Sequence, residues 1–154
     1  RLRTVTGVQT CALPILDSIS NHIKYIRTDN PDLYETLLTP DVVECNHEKR
    51  SAVFELPVTE KMMNFSGAFY GGALASLFDN ATGILMRCYS GRYESPTSEL
   101  SVRFHRPAFI GDTVKVFAEI TSITNSFVNL FAIAYIIDRN VPVATASARF
   151  YSKS

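Results

Sequence analysis

The chain has 154 residues, of which 46% are hydrophobic and 19% charged, enough apolar material for one packed domain and too little length for two. Fifteen Lys and Arg balance fifteen Asp and Glu, so the cationic field that a nucleic-acid binder or a polybasic membrane-surface protein needs is missing. No stretch approaches the ~18 uninterrupted apolar residues of a membrane-spanning helix, and the three cysteines (Cys11, Cys45, Cys88) lack CxxC spacing, which fits reduced thiols better than a disulfide framework or a zinc site.

Residues 1–16 (RLRTVTGVQTCALPIL) stand apart. They contain no acid and no clear period, and Pro14 interrupts a helix. The run GVQTCALPI resembles translated sequencing-adaptor read-through, so 1–16 is expected to be non-native or unstructured, with any native start and targeting signal missing. A cytoplasmic protein is expected, with a mitochondrial one as the alternative. Over residues 17–27, Ile19, Ile23 and Ile26 recur at helical spacing behind Asp17 or Ser18 as N-cap. A short turn around LYETLL closes this 17–40 segment, and 41–154 reads as the main domain.

Residues 41–48 and 51–59 read as two strands around a polar turn, with Val53, Phe54, Leu56 and Val58 supplying the apolar content. Residues 62–69 are a loop. Residues 70–89 are the longest helical candidate: Ala73, Leu74, Leu77, Phe78, Ala81, Ile84, Leu85 and Cys88 keep i, i+3, i+4 spacing. The other face carries Gly72, Ala75, Ser76, Asp79, Thr82, Gly83 and Met86. It is small and nearly uncharged until Arg87, so it is expected to meet another surface rather than water. Residues 97–106 alternate, with Leu100, Val102 and Phe104 on one side and Ser101, Arg103 and His105 on the other. Val114, Val116, Ala118 and Ile120 then alternate with Lys115 and Glu119. Residues 127–137 are apolar on both faces, which suits a central strand or one covered by a partner, and 141–151 form a final strand. One long helix with six strands, mostly antiparallel, predicts an α+β domain whose sheet wraps around the helix, with an extra N-terminal helix.

Chemistry concentrates at Asn64 in the loop, Gly71-Gly72 at the helix start, and Asp79 within the helix. Helix N-termini present unpaired N–H groups and a partial positive charge, and glycines let an oxygen approach those donors. The glycine pair also fits a plain tight turn. Asp79 is the sole acid between residues 62 and 93, flanked by apolar neighbours, and is a candidate general base or nucleophile. It also fits a surface Asp bonded to Ser76 or Asn80. Gly71 and Asp79 lie roughly 12 Å apart along the helix axis. One carbonyl cannot touch both at ~3 Å, so either they are unrelated or the site is shared by two chains.

The run MNFSGAFYGGALASLFDNATG, followed by SPTSELSVRFHRPAFIGDTVKV, resembles the hotdog-fold acyl-CoA thioesterases of the PaaI and thioesterase superfamily member two type, over about residues 40–152. That resemblance implies a hotdog fold, a homodimer or homotetramer, and hydrolysis of a fatty or aryl acyl-CoA to free acid and CoA, with no metal and no cofactor beyond the substrate's own coenzyme A. It further implies Asp79 as base or nucleophile, the Gly71 amide as oxyanion donor with Gly72 beside it, Asn64 positioning the thioester or water, and Thr97, in place of the family's Ser, orienting water. Asp79 and Thr97 would come from one subunit, Asn64 and Gly71 from the other.

Tyr70 stands where the family usually has His; a phenol can donate a hydrogen bond but cannot act as an imidazole would. The turn Ser122, Thr124, Asn125, Ser126 lies where family members contact the CoA nucleotide, and here it holds no Lys or Arg. Phosphate binding would then rest on hydroxyls, on backbone N–H groups, or on cations such as Arg103 and Arg106, which equally fit solvated strand residues. His22, His47 and His105 lack ligand spacing, so no metal is expected; His105 fits a strand's polar face, and Cys88 fits the core. Two rivals remain: a non-catalytic acyl-CoA or lipid-binding hotdog protein, and a hotdog hydratase, which would need the His that Tyr70 replaces.

Overall fold

A computed structural model describes residues 7–152 of the chain, with side chains from residue 15 onward. The first helix, α1 (Gly7–Asp29), starts well before the expected residue 17 and runs through Pro14. The proline removes one donor from the backbone ladder without ending the helix. Residues 7–16 belong to this helix rather than to an unstructured stretch, which does not bear on the expectation that 1–16 is non-native; residues 1–6 and the side chain of Cys11 lie outside the described residues. Ile19, Ile23 and Ile26 form the buried stripe of α1, as their spacing predicts. At its end Arg27 reaches the Thr39 carbonyl at 2.9 Å and the Asp41 carboxylate at 2.6 Å, which ties the helix to the first strand. The LYETLL stretch, expected as a turn, contains one helical turn, α2 (Tyr34–Leu37).

The six strands are β1 (Asp41–Asn46), β2 (Ser51–Pro57), β3 (Thr97–Phe104), β4 (Thr113–Ile123), β5 (Phe127–Ile136) and β6 (Pro142–Tyr151). They form one sheet in the order β1-β2-β4-β5-β6-β3, and every pairing is antiparallel. The predicted strand positions hold to within a few residues. β5 sits inside the sheet between β4 and β6; its inner face is buried and its outer face, with Phe127, Phe131, Ile133 and Tyr135, is half-buried within the single chain.

The helix α3 (Gly71–Ser90) occupies the space between β2 and β3 in the chain and packs across the sheet. Its fit is a matter of side-chain volume. The sheet's inner face is alanine-rich, with Ala118, Ala132, Ala134, Ala144, Ala146 and Ala148 all buried. Small residues there make room for the large ones of the helix, Leu77, Phe78, Ile84 and Leu85, to fill the layer at interior density. The helix ends at Gly91, whose φ of 70° is left-handed and whose N–H bonds the Arg87 carbonyl at 2.8 Å, a conformation only glycine adopts without penalty.

The second face of α3 meets another surface over part of its length, as its small, uncharged residues predict. Thr82, Gly83 and Met86 are buried within the single chain. Thr82 turns its hydroxyl back onto the Phe78 carbonyl at 2.7 Å, and a side chain at Gly83 would meet the Phe150 ring at 3.4 Å. Only the Gly72, Ala75, Ser76 and Asp79 portion stays open. Part of what the sequence assigns to another surface is therefore covered within the single chain.

Candidate active site

The loop before α3 is held from both sides. Tyr70 N–H bonds the Met62 carbonyl at 2.8 Å, and Phe69 N–H bonds the Ala108 carbonyl at 2.7 Å. Within the loop, Asn64 Oδ1 accepts the amides of Ser66 (2.9 Å) and Ala68 (3.1 Å). The tight turn so formed needs Gly67 at a φ of 82°. The carboxamide oxygen of Asn64 is thus spent on its own loop, and the amide NH₂ is the end left to act on a ligand. Phe65, at the tip of this turn, is fully exposed.

Helix α3 opens without a side-chain cap; Tyr70 is its N-cap residue. The first turn closes with Leu74 N–H on the Tyr70 carbonyl at 2.9 Å. The amides of Gly71, Gly72 and Ala73 precede that ladder, as the first amides of any helix do. The Tyr70 ring lies against the second glycine: a Cβ at Gly72 would stand 2.7 Å from the ring, and one at Gly71 would stand 3.5 Å from Phe104. The second glycine therefore does more than permit a turn. Gly72 makes room for the Tyr70 ring beside the donor end of the helix, while a side chain at Gly71 would meet Phe104 only at ordinary contact distance.

Asp79 lies two turns further on and is half-buried, not fully buried as an isolated core carboxylate would be. Thr97, the first residue of β3, donates its hydroxyl to Asp79 Oδ1 at 2.8 Å. Ser76 and Asn80, the partners expected of an ordinary surface Asp, are engaged elsewhere: Ser76 donates to the Gly72 carbonyl at 2.9 Å and Asn80 to the Glu35 carbonyl at 3.1 Å. Neither is bonded to Asp79, whose side-chain partner is Thr97. The structure brings Asp79 and Thr97 together; Asn64, Tyr70, Gly71 and Gly72 gather at the other end of the helix.

Asp79 opens into a groove of about 290 Å³ lined by Tyr34, Glu35, Ser76, Asp79, Asn80 and Arg87. Sequence reasoning missed three of these. Tyr34 and Glu35 belong to the turn that proved to be α2. Arg87 carried a legible signal, as the sole Lys or Arg between residues 71 and 90.

The β4–β5 turn is largely self-satisfied. Thr124 Oγ1 accepts the Phe127 amide at 3.0 Å, and Ser122 Oγ accepts from Asn129 Nδ2 at 2.9 Å. The Ser126 carbonyl accepts the Ser152 amide at 2.8 Å, and Asn125 completes the turn. A cation does stand there, supplied from far along the chain: Arg92, just past α3, donates to the Thr124 carbonyl at 3.3 Å and to the Ser152 hydroxyl. Arg103 and Arg106 are exposed, and Arg106 reaches the Pro142 carbonyl at 3.3 Å. His105 lies just beyond β3 with its ring 3.2 Å from the Thr145 hydroxyl. Among the described residues no group of three or more His, Cys, Asp or Glu could hold a metal ion, and no helix is long and apolar enough to cross a membrane. Cys88 is buried in the core, and burial pushes its thiol pKa upward.

The sequence profile of the thioesterase superfamily matches residues 66–150, a span that contains α3, Asp79 and Thr97. No curated protein sequence matches the chain. Among solved structures, zebrafish thioesterase superfamily member 2 superposes with a TM-score of 0.79 at 14% identity, over 89% of this chain and 97% of that one. The Escherichia coli PaaI protein from the phenylacetic acid degradation operon superposes at 0.72 with 21% identity, over 90% and 96%. A Streptococcus mutans protein bound to acetyl CoA superposes at 0.66 with 18% identity, over 75% and 89%.

Proposed function

The chain belongs to the thioesterase superfamily, and from that premise we propose that it hydrolyses an acyl-CoA thioester to the free acid and coenzyme A, using Asp79 as the general base. The carrying observation is the 2.8 Å hydrogen bond from Thr97 to Asp79 Oδ1. It fixes the carboxylate and leaves Oδ2 to accept a proton from water. The hydroxide so formed attacks the thioester carbonyl carbon. The oxyanion that develops takes hydrogen bonds from the Gly71 amide, strengthened by the helix dipole. Collapse of the tetrahedral species breaks the C–S bond, and the thiolate of CoA recovers the proton. The steps call for no cofactor apart from the substrate's own CoA. That the Streptococcus mutans neighbour is bound to acetyl CoA supports a CoA thioester as the ligand class.

The roughly 12 Å of helix between Gly71 and Asp79 requires the donor end to come from a second copy of the chain. β3 offers the means. It is an edge strand, mostly exposed along its length, and an edge of unpaired backbone groups pairs readily with its own copy. The working unit is then a homodimer, alone or paired into a homotetramer, with Asn64, Tyr70 and Gly71 of one protomer facing Asp79 and Thr97 of the other.

Asp79→Asn is the direct test, because it keeps the shape and removes the base. Thiol release from an acyl-CoA panel should fall by about 10²–10⁴, while melting temperature and solution mass stay unchanged. Turnover near the native rate in that variant ends the mechanism. Tight binding of acyl-CoA by the native protein with no thiol release from any chain length would instead make it a binding protein.

A further inference from the structure

Along α3, Ser76, Asp79, Asn80, Gly83 and Arg87 recur at three- and four-residue spacing and so fall on one stripe. Gly83 is the gap in it. A Cβ built there would lie 3.0 Å from Arg87 Nη1, so the guanidinium folds back one turn over the glycine and toward Asp79. Glycine in a helix interior is unfavourable; here its missing side chain makes the space the guanidinium occupies. No carboxylate among the described residues stands within ion-pair distance of Arg87, although Glu35 lines the same groove.

We propose that Arg87 selects the acyl group: the groove beside Asp79 takes a short chain whose far end carries an oxygen acceptor, and the guanidinium holds that oxygen. The inference rests on the hydrolytic reading above and names its substrate class. Each of the six lining residues carries a polar group. An unbranched alkyl chain laid on them would strip water from Arg87 and Glu35 and return no partner, a strongly unfavourable exchange. An oxygen at the chain end restores one, with the guanidinium fork suited to bidentate contact. The groove contains Asp79, the group proposed to act at the thioester carbonyl, so the part of the substrate beside that carbonyl, the acyl group, is what it receives. From Asp79 to Gly83 the axis advances about 6 Å, a span that a chain of about four to six carbons covers at ~1.5 Å bonds. The shared chemistry is an oxygen acceptor, either a carboxylate or a hydroxyl. Glu35, which lines the same groove, separates the two, since a carboxylate accepts from a hydroxyl and repels another carboxylate.

The test uses the full-length protein and three non-hydrolysable thioether CoA analogues of equal chain length, ending in methyl, hydroxyl or carboxylate, with binding read by calorimetry. The matching thioesters are assayed by thiol release. The native protein should bind one of the oxygen-bearing analogues about ten-fold or more tightly than the methyl one, and Arg87→Leu should bring that ratio close to one. Gly83→Ala, which keeps the guanidinium but displaces it, should lower the ratio as well and serves if Arg87→Leu does not fold. Tighter binding of the carboxylate identifies an anionic acyl group; tighter binding of the hydroxyl identifies a neutral one held between Arg87 and Glu35. A native protein that prefers the methyl analogue, or a ratio unmoved by both substitutions, overturns the assignment. Preference without turnover of any thioester would sink the hydrolytic reading and leave Arg87 standing. Turnover without preference would do the reverse.

Discussion

Replacing Thr97 with valine removes one hydroxyl and little volume, and it asks whether that hydroxyl acts through Asp79. The bond is 2.8 Å long and its acceptor is a carboxylate oxygen, a class worth about 1.5–3 kcal/mol on deletion. Thr97 is exposed, so water recovers part of that and the lower figure applies. About 1.5 kcal/mol corresponds to about a ten-fold fall in kcat/KM if the bond is maintained through the transition state. The same position at the start of an edge strand contributes little to folding, within about 0.5 kcal/mol. Thiol release should therefore drop about ten-fold in Thr97→Val with the melting temperature nearly constant, and Thr97→Ser should keep most of the activity. Adding Asp79→Asn closes the cycle: once the carboxylate is gone, the valine should cost no more than about two-fold. A further ten-fold loss in the Asp79→Asn background would refute the idea that Thr97 works by fixing that carboxylate.

Other outcomes follow from the rest of the structure. Burial, aided by the Arg87 charge and opposed by Glu35, holds the His22 pKa below its ordinary 6.5; the folded chain then binds its proton later than the unfolded one. The stability this contributes is complete above about pH 6.5 and is lost as pH falls through that value toward the folded pKa. His22→Gln should flatten the decline of melting temperature on acidification. Burial likewise raises the thiol pKa values of Cys45 and Cys88. Mass spectrometry after brief maleimide treatment near neutral pH should find Cys88 unlabelled in the native state and labelled after denaturation, with the half-buried Cys45 reacting first; rapid native labelling of Cys88 would contradict its packing. Gly91→Ala forces a side chain into the left-handed cap of α3 and should cost about 1 kcal/mol, read as a loss of a few degrees in a thermal melt.

How far the sequence led depends on the range of the interactions involved. Periodicity is local, so α3 and the alternating strands were legible nearly to the residue. A single local rule can mislead: Pro14 reads as a breaker, yet α1 runs through it. Burial that comes from distant elements was legible only as a requirement: spacing and composition say that the face with Thr82, Gly83 and Met86 meets another surface, but not that Phe150 from the last strand covers Gly83. The β4–β5 turn shows no cation in sequence because Arg92 enters from 32 positions away. The Asp79–Thr97 contact spans 18 positions; only the resemblance pointed to it, since no spacing rule joins a helix interior to a strand start.

The separation of Gly71 from Asp79 was legible in full, and it constrains the proposed chemistry most. Both residues lie on α3, so the helical rise sets their distance at roughly 12 Å, and loop motion elsewhere leaves it unchanged. A thioester held at ~3 Å from the Asp79 carboxylate therefore needs its oxyanion donor from outside that helix. The exposed β3 edge begins at Thr97, whose hydroxyl is bonded to that carboxylate. If pairing through β3 supplies the donor, breaking that edge must abolish turnover and dimer together, whereas Asp79→Asn abolishes turnover alone. A monomeric edge variant that still released thiol at the native rate would mean the donor lies within one chain, and Gly71 would lose its role.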